Sequence, residues 1–127
     1  MVYKGISMLT NQNIQNNNYS IEYYNKHNTI LLRGMLDLKT SESFDEIIAF
    51  IYNKAINKYK NVTFDLSRLE KINSSGITAL CLLIIKIRDL DLPIKIIASK
   101  YSQWQSSALM DLKDLYDTIE IEYIVLH

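Results

Sequence analysis

Residues 62–98 read VTFDLSRLEKINSSGITALCLLIIKIRDLDLPIKIIA, and this stretch decides the fold. Val62-Thr63-Phe64-Asp65-Leu66 is an apolar, β-branched run of the kind that fills a central strand. A loop is predicted from there through Lys71. A helix is predicted over about 75–89, because apolar residues recur at three- and four-residue steps from Ile77 to Ile87. Leu92-Pro93 ends it, since proline lacks the amide hydrogen a helix needs. Ile94-Lys95-Ile96-Ile97-Ala98 is then a second strand. Strand, helix and strand in so short a span form a βαβ unit, so the two strands are predicted to be parallel.

The same reading extends to both sides. Phe44, Ile47, Ile48, Ile51, Tyr52, Ala55, Ile56 and Tyr59 share one face of a predicted helix over 41–59. Ser43 and Glu46 fit a capping box there, with Thr40 and Ser41 as alternative caps. Ile21–Tyr24 and Thr29–Arg33 form a predicted hairpin around Asn25-Lys26-His27-Asn28, with His27 a solvated turn residue. Downstream, a helix is predicted over 106–115 and a half-exposed strand over 119–123. Seven of the eight residues from Asn11 to Asn18 are Asn or Gln, so residues 1–18 are predicted to be a polar, flexible tail. Residues 19–127 then make one α/β domain, a mixed sheet flanked by helices.

Composition narrows the function. The chain has 127 residues, the length of a single domain. Fourteen basic residues balance fourteen acidic ones, which argues against nucleic acid as a partner. The lone Cys81 forms no intrachain disulfide or thiolate cluster, consistent with a reducing, cytoplasmic setting. Two histidines, His27 and His127, leave little for metal binding or acid–base chemistry, and no serine–histidine pair or Walker-type phosphate loop is visible. The expectation is a non-enzyme with no cofactor, no metal and no membrane insertion. The longest apolar run, Ala79–Ile85, is far short of the roughly 20 residues a membrane span needs.

The informative constellation lies where the predicted strand at 62–66 leads into the helix: Asn73-Ser74-Ser75-Gly76. Ligand and partner sites in α/β sheets gather at the carboxyl ends of strands. A helix N-terminus tolerates an added phosphate, because its amide hydrogens and partial positive charge favour an anion. Two readings stay open on the pattern alone. Ser and Asn in this element serve as a helix cap, or one of the serines is a modification switch.

The run Asp65-Leu66-Ser67 through Asn73-Ser74-Ser75-Gly76-Ile77 resembles the signature of STAS domains, the bacterial anti-sigma-factor antagonist family. Gly34-Met35-Leu36-Asp37 is similar to that family's Gly-x-(Leu/Ile)-Asp element, and the element order agrees over about 19–123. With Ile85-Lys86-Ile87-Arg88 and Trp104-Gln105, the chain resembles a subgroup of small stand-alone STAS regulators. The resemblance implies that Ser74 is phosphorylated by a GHKL-type serine kinase that doubles as an anti-sigma factor, and that a PP2C-type phosphatase reverses this. Ser75 is the neighbouring candidate acceptor. Asp37, Asn73, Gly76, Ile77 and Trp104 are implied or candidate partner-binding residues, with Gly76 letting a partner approach the backbone. Position 73 departs from the family pattern, being Asn where the best-known antagonists have Asp. The alternative is a constitutive STAS scaffold docking on another protein, such as a transporter ATPase. A small-ligand or nucleotide sensor is a third reading.

Three features outside the motif complete the expectations. The helix after Ser74 is apolar nearly all round, so it is either well covered or partly an interaction surface. Cys81 fits its core stripe. Trp104 is placed in a loop, packed on the sheet edge or anchoring an interface. Asp65 sits where a receiver domain holds its phospho-accepting aspartate, but the strand before it lacks the accompanying acidic pair.

Overall fold

The computed structural model describes residues 11–126. Six strands form one sheet in the order β1 to β6: β1 (Asn11–Gln15), β2 (Tyr19–Tyr24), β3 (Thr29–Leu36), β4 (Val62–Ile72), β5 (Ile94–Ser99) and β6 (Glu120–Ile124). The first three strands pair antiparallel, and β3, β4, β5 and β6 run parallel. Each parallel step is bridged by a helix: α1 (Asp45–Lys54), α2 (Ser74–Asp89) and α3 (Gln103–Leu115). Crossovers of one hand, all stepping the same way across the sheet, set the three helices on a single face. That face carries Ile21, Ile30, Phe64, Leu66 and Ile96, which form one buried core with Ile51, Leu83 and Leu109 of the helices. The opposite face carries Ser20, Glu22, Arg33, Thr63 and Lys95. The expected α/β domain with a mixed sheet is what the structure shows, and the βαβ unit over residues 62–98 recurs on either side of it.

Four local readings are corrected. The Asn-rich stretch is not tail throughout: Asn11–Gln15 pair with β2, so Ile14 meets Ile21. Backbone pairing satisfies this polar segment, and Asn16 folds the turn by accepting the amide hydrogens of Asn18 (2.8 Å) and Tyr19 (2.9 Å). The remainder of the predicted tail, residues 1–10, lies outside the described residues, as does His127. The helix predicted over 41–59 is three pieces: a 3-10 turn at Ser41–Phe44, α1, and a second 3-10 turn at Ile56–Lys58. Its cap is Thr40, whose hydroxyl accepts the Ser43 amide hydrogen at 3.2 Å, and not the Ser43–Glu46 box. Trp104 lies inside α3, in its first turn, and not in a loop.

The fourth correction concerns the loop predicted to follow Leu66 and run through Lys71. It is strand, and β4 runs to Ile72 beside Leu36. Its hydrophobic alternation is hidden by two bulges, one between the pairs Leu31–Asp65 and Arg33–Arg68, the other between Gly34–Leu69 and Met35–Lys71. Leu66 and Ser67, adjacent in sequence, are consequently both buried. The first bulge is locked by Asp65, whose Oδ1 accepts the Ser67 amide hydrogen (3.0 Å) and hydroxyl (2.6 Å). This is the local work of the Asp-x-Ser pattern. Gly34, at φ +84°, sits at the second bulge; a Cβ there would lie 2.2 Å from the Asn18 carbonyl oxygen.

Candidate functional site

The site is built at the carboxyl ends of β3 and β4. Leu36 and Ile72 are paired neighbours, and the Asn73 amide hydrogen still bonds the Leu36 carbonyl at 3.2 Å. The chain then turns into α2. Asn73 is in an extended conformation, and its Oδ1 accepts the Gly76 amide hydrogen at 3.0 Å. Asn73 is therefore the helix cap, which removes the reading of Ser74 and Ser75 as caps. Its side chain does a second job: Nδ2 donates to the Leu38 carbonyl, tying the segment after β3 to the start of α2. An aspartate could accept from Gly76, but at neutral pH it could not donate to Leu38. This gives a structural reason for Asn at position 73.

Ser74 occupies the first turn of α2 and is exposed; Ser75 is half-buried. Asp37 lies at the same strand ends, exposed, with its carboxylate 4.0 Å from the Lys71 ammonium. With both side chains more than half in solvent, this pair carries little energy. Gly76 is buried, and the space of its absent Cβ is filled from inside: that atom would lie 2.5 Å from Ile72 Cγ1 and 2.8 Å from Phe44 Cζ. The glycine is required by packing of α2 on the sheet, and it does not expose backbone to a partner.

Ile77 and Trp104 meet across an apolar crevice between α2 and α3, lined also by Leu69, Ile72, Leu80 and Ala108. The Trp104 indole is half-buried and donates to the Leu69 carbonyl at 3.2 Å. Next to it Gln105, 1% exposed, donates to the carbonyls of Leu66 (2.8 Å) and Leu69 (3.2 Å) and accepts the Ser99 amide hydrogen (2.8 Å). These contacts replace strand pairing: β5 pairs β4 only as far as Asp65, and two side chains of α3 serve the carbonyls beyond it. The sequence marks Gln105 only through the Trp104-Gln105 resemblance, because a polar residue in a helix gives no sign of a partner almost 40 positions away.

The outward strip of α2 continues from Ser74. Thr78 and Leu82 follow at four-residue steps and are exposed, with Leu82 62% exposed, while Cys81 and Ile85 beside them are half-buried. The helix that looks apolar all round is thus covered on its flanks and bare along this strip. Burial first, then the nearby Asp111 carboxylate, pushes the Cys81 thiol above its ordinary pKa, so it stays protonated and weakly nucleophilic. Among the described residues no group of His, Cys, Asp and Glu could hold a metal ion, and no helix is long and apolar enough to cross a membrane.

The structure therefore brings Asp37, Asn73, Ser74, Ser75 and Gly76 to one end of the sheet, with Ile77 and Trp104 in the crevice beside them. No protein-family model and no curated protein sequence matches the chain. Among solved structures, the chain is similar to a Thermotoga maritima protein assigned as an anti-sigma factor antagonist. The TM-score is 0.52 and the identity 16%, over 78% of this chain and 81% of that one. At that identity the likeness shows the fold, which agrees with the architecture the STAS resemblance implies.

Proposed function

We propose that the chain is a non-catalytic regulator of the anti-sigma-factor-antagonist kind, switched by phosphorylation at Ser74. Unmodified, it binds a GHKL-type serine kinase or anti-sigma factor in the cytoplasm through the first turn of α2 and the strip from Ser74 to Leu82. Phosphate on Ser74 adds about −1.5 to −2 charge units and bulk to that surface and releases the partner. A PP2C-type phosphatase resets it.

The observation that carries this reading is the division of labour at the start of α2. Asn73 caps the helix, so the exposed Ser74 hydroxyl is left to chemistry without a structural duty. The first turn also welcomes an anion, so the modified domain stays folded. The T. maritima neighbour supports the same kind of function. The test is incubation with the organism's own GHKL-type serine kinases and ATP, followed by mass spectrometry and binding of Ser74→Asp and Ser74→Ala. Phosphate on Ser74, with loss of partner binding in Ser74→Asp alone, supports the switch. No phosphate on Ser74 or Ser75, with Ser74→Asp binding every partner like the wild type, sinks it.

Asn73 favours a second reading. Its amide bonds Leu38 and Gly76 and supplies no charge to a kinase, as a constitutive scaffold would allow. Such a scaffold would dock on another protein, such as a transporter ATPase, without phosphorylation. A pull-down recovering a transport ATPase in place of a kinase separates the two.

A further inference from the structure

The opposite end of the sheet holds a groove of about 570 Å3 at the amino-terminal ends of β3 and β4. Tyr23, Asn25, His27, Lys58, Lys60 and Asn61 line it. We propose that this groove binds a small, multiply charged phosphate anion.

Its charge is one-sided. No carboxylate lines it, although the chain as a whole is neutral. The bias is written in the sequence: no acidic residue occurs between Glu22 and Asp37, or between Glu46 and Asp65, and these are the two stretches that form the groove. The ion pairs among the described residues engage Arg33, Lys71, Arg88 and Lys95, so Lys58 and Lys60 have no carboxylate partner there.

The floor is rigid. Buried Asn28 donates to the carbonyls of Ala55 (3.0 Å) and Asn61 (3.1 Å) and accepts the Tyr23 hydroxyl at 2.9 Å. That hydroxyl in turn accepts from the Lys58 ammonium at 2.8 Å, which also reaches Asn25 Oδ1 at 3.3 Å. The ammonium lies 4.8 Å from the Tyr23 ring centre. An ammonium has three hydrogens, so Lys58 is held in place with one left to offer. Both loops are fixed in sparsely populated backbone: His27, Asn28 and Tyr59 have φ of 60°, 48° and 55°. Two point charges, an imidazole and amide side chains around a concave space suit a phosphate ester or pyrophosphate better than a singly charged carboxylate. Concavity also favours a free anion over the headgroups of a flat lipid surface.

The test is a titration of the full chain with sodium pyrophosphate at constant ionic strength, followed by amide chemical shifts. Saturable shifts at residues 25–28 and 58–61, weakened about tenfold or more in the Lys58→Gln/Lys60→Gln double variant, support the site. Lys60→Gln alone, which removes no hydrogen bond seen in the fold, should weaken binding several-fold with unchanged thermal stability. Non-saturating shifts, or equal affinity in the double variant, overturn it. So does sedimentation with phosphatidylglycerol vesicles without pyrophosphate binding. The readout lies at the far end of the sheet from Ser74, so its failure leaves the phospho-switch reading untouched.

Discussion

The side-chain amide of Asn73 donates to the main-chain carbonyl of Leu38 while its oxygen caps α2 at Gly76. One residue thus welds the segment after β3 to the helix that presents Ser74. Asn73→Asp keeps the cap but sets a carboxylate against the Leu38 carbonyl. We expect a loss of about 1–2 kcal/mol at neutral pH, read as a lower urea midpoint with unchanged slope. Part should return in acid, where a protonated Asp can donate again. Unchanged stability at neutral pH would show that the Leu38 bond contributes nothing.

Gly76→Ala tests whether the glycine serves packing. Alanine in an exposed helix interior would stabilise by about 1 kcal/mol. Here the new methyl must displace Ile72 and Phe44, which are less than 3 Å from where it would sit. The expected sign is therefore destabilising, by about 1–3 kcal/mol, measured by thermal unfolding.

Gln105→Leu removes three hydrogen bonds from a fully buried position and strands the Leu66 carbonyl and the Ser99 amide hydrogen. A cost of about 2–4 kcal/mol is expected. Amide exchange should quicken at Ser99, whose hydrogen loses its acceptor.

Ser74→Ala should change stability by less than about 0.5 kcal/mol, since Asn73 holds the cap. Ser74→Asp should stabilise slightly, by about 0.3–1 kcal/mol, by placing negative charge in the first turn of α2. A large loss in either variant would mean that the hydroxyl is structural.

Glu22 governs an acid-range dependence. Burial alone would raise its carboxyl pKa, but hydrogen bonds from Tyr24, Ser20 and Arg33, with the Arg33 charge, outweigh burial and lower it. Arg33 Nε lies 2.7 Å from Glu22 Oε2. A carboxyl lowered in the fold stabilises it above the unfolded value near 4.5, and that contribution is lost as pH falls through the folded value. The stability difference between wild type and Glu22→Gln should thus be greatest near neutrality and shrink as pH falls from the unfolded value through the lowered folded one. A pH-independent difference in denaturant titrations would contradict this.

Much of the fold was legible because it depends on local period. The hairpin around Asn25–Asn28, β5 and α2 match the sequence-based expectation to within a few residues, as does the start of β4 and its parallel pairing with β5. The misreadings share one cause. The strand at Asn11–Gln15 and the extension of β4 to Ile72 are made by pairing with neighbours; the first is too polar to announce itself, and bulges scramble the alternation of the second. Trp104 gave no sign of being helical, because a turn of helix can be nucleated by tertiary bonds such as its own to Leu69.

For the candidate sites the division is the same. The sequence by itself determined the Ser-Ser-Gly element at a strand-to-helix junction, and the two acid-free stretches at 23–36 and 47–64. Charge and residue type are properties of the chain and need no partner. Only the tertiary structure decided that Asn73 and not Ser74 caps the helix. It also decided that Gly76 yields its space to Ile72 and Phe44, and that Lys58 stands on Tyr23. The Lys58–Tyr23 and Asn73–Leu38 bonds join residues 35 positions apart, and no local pattern in a sequence carries the partner's position.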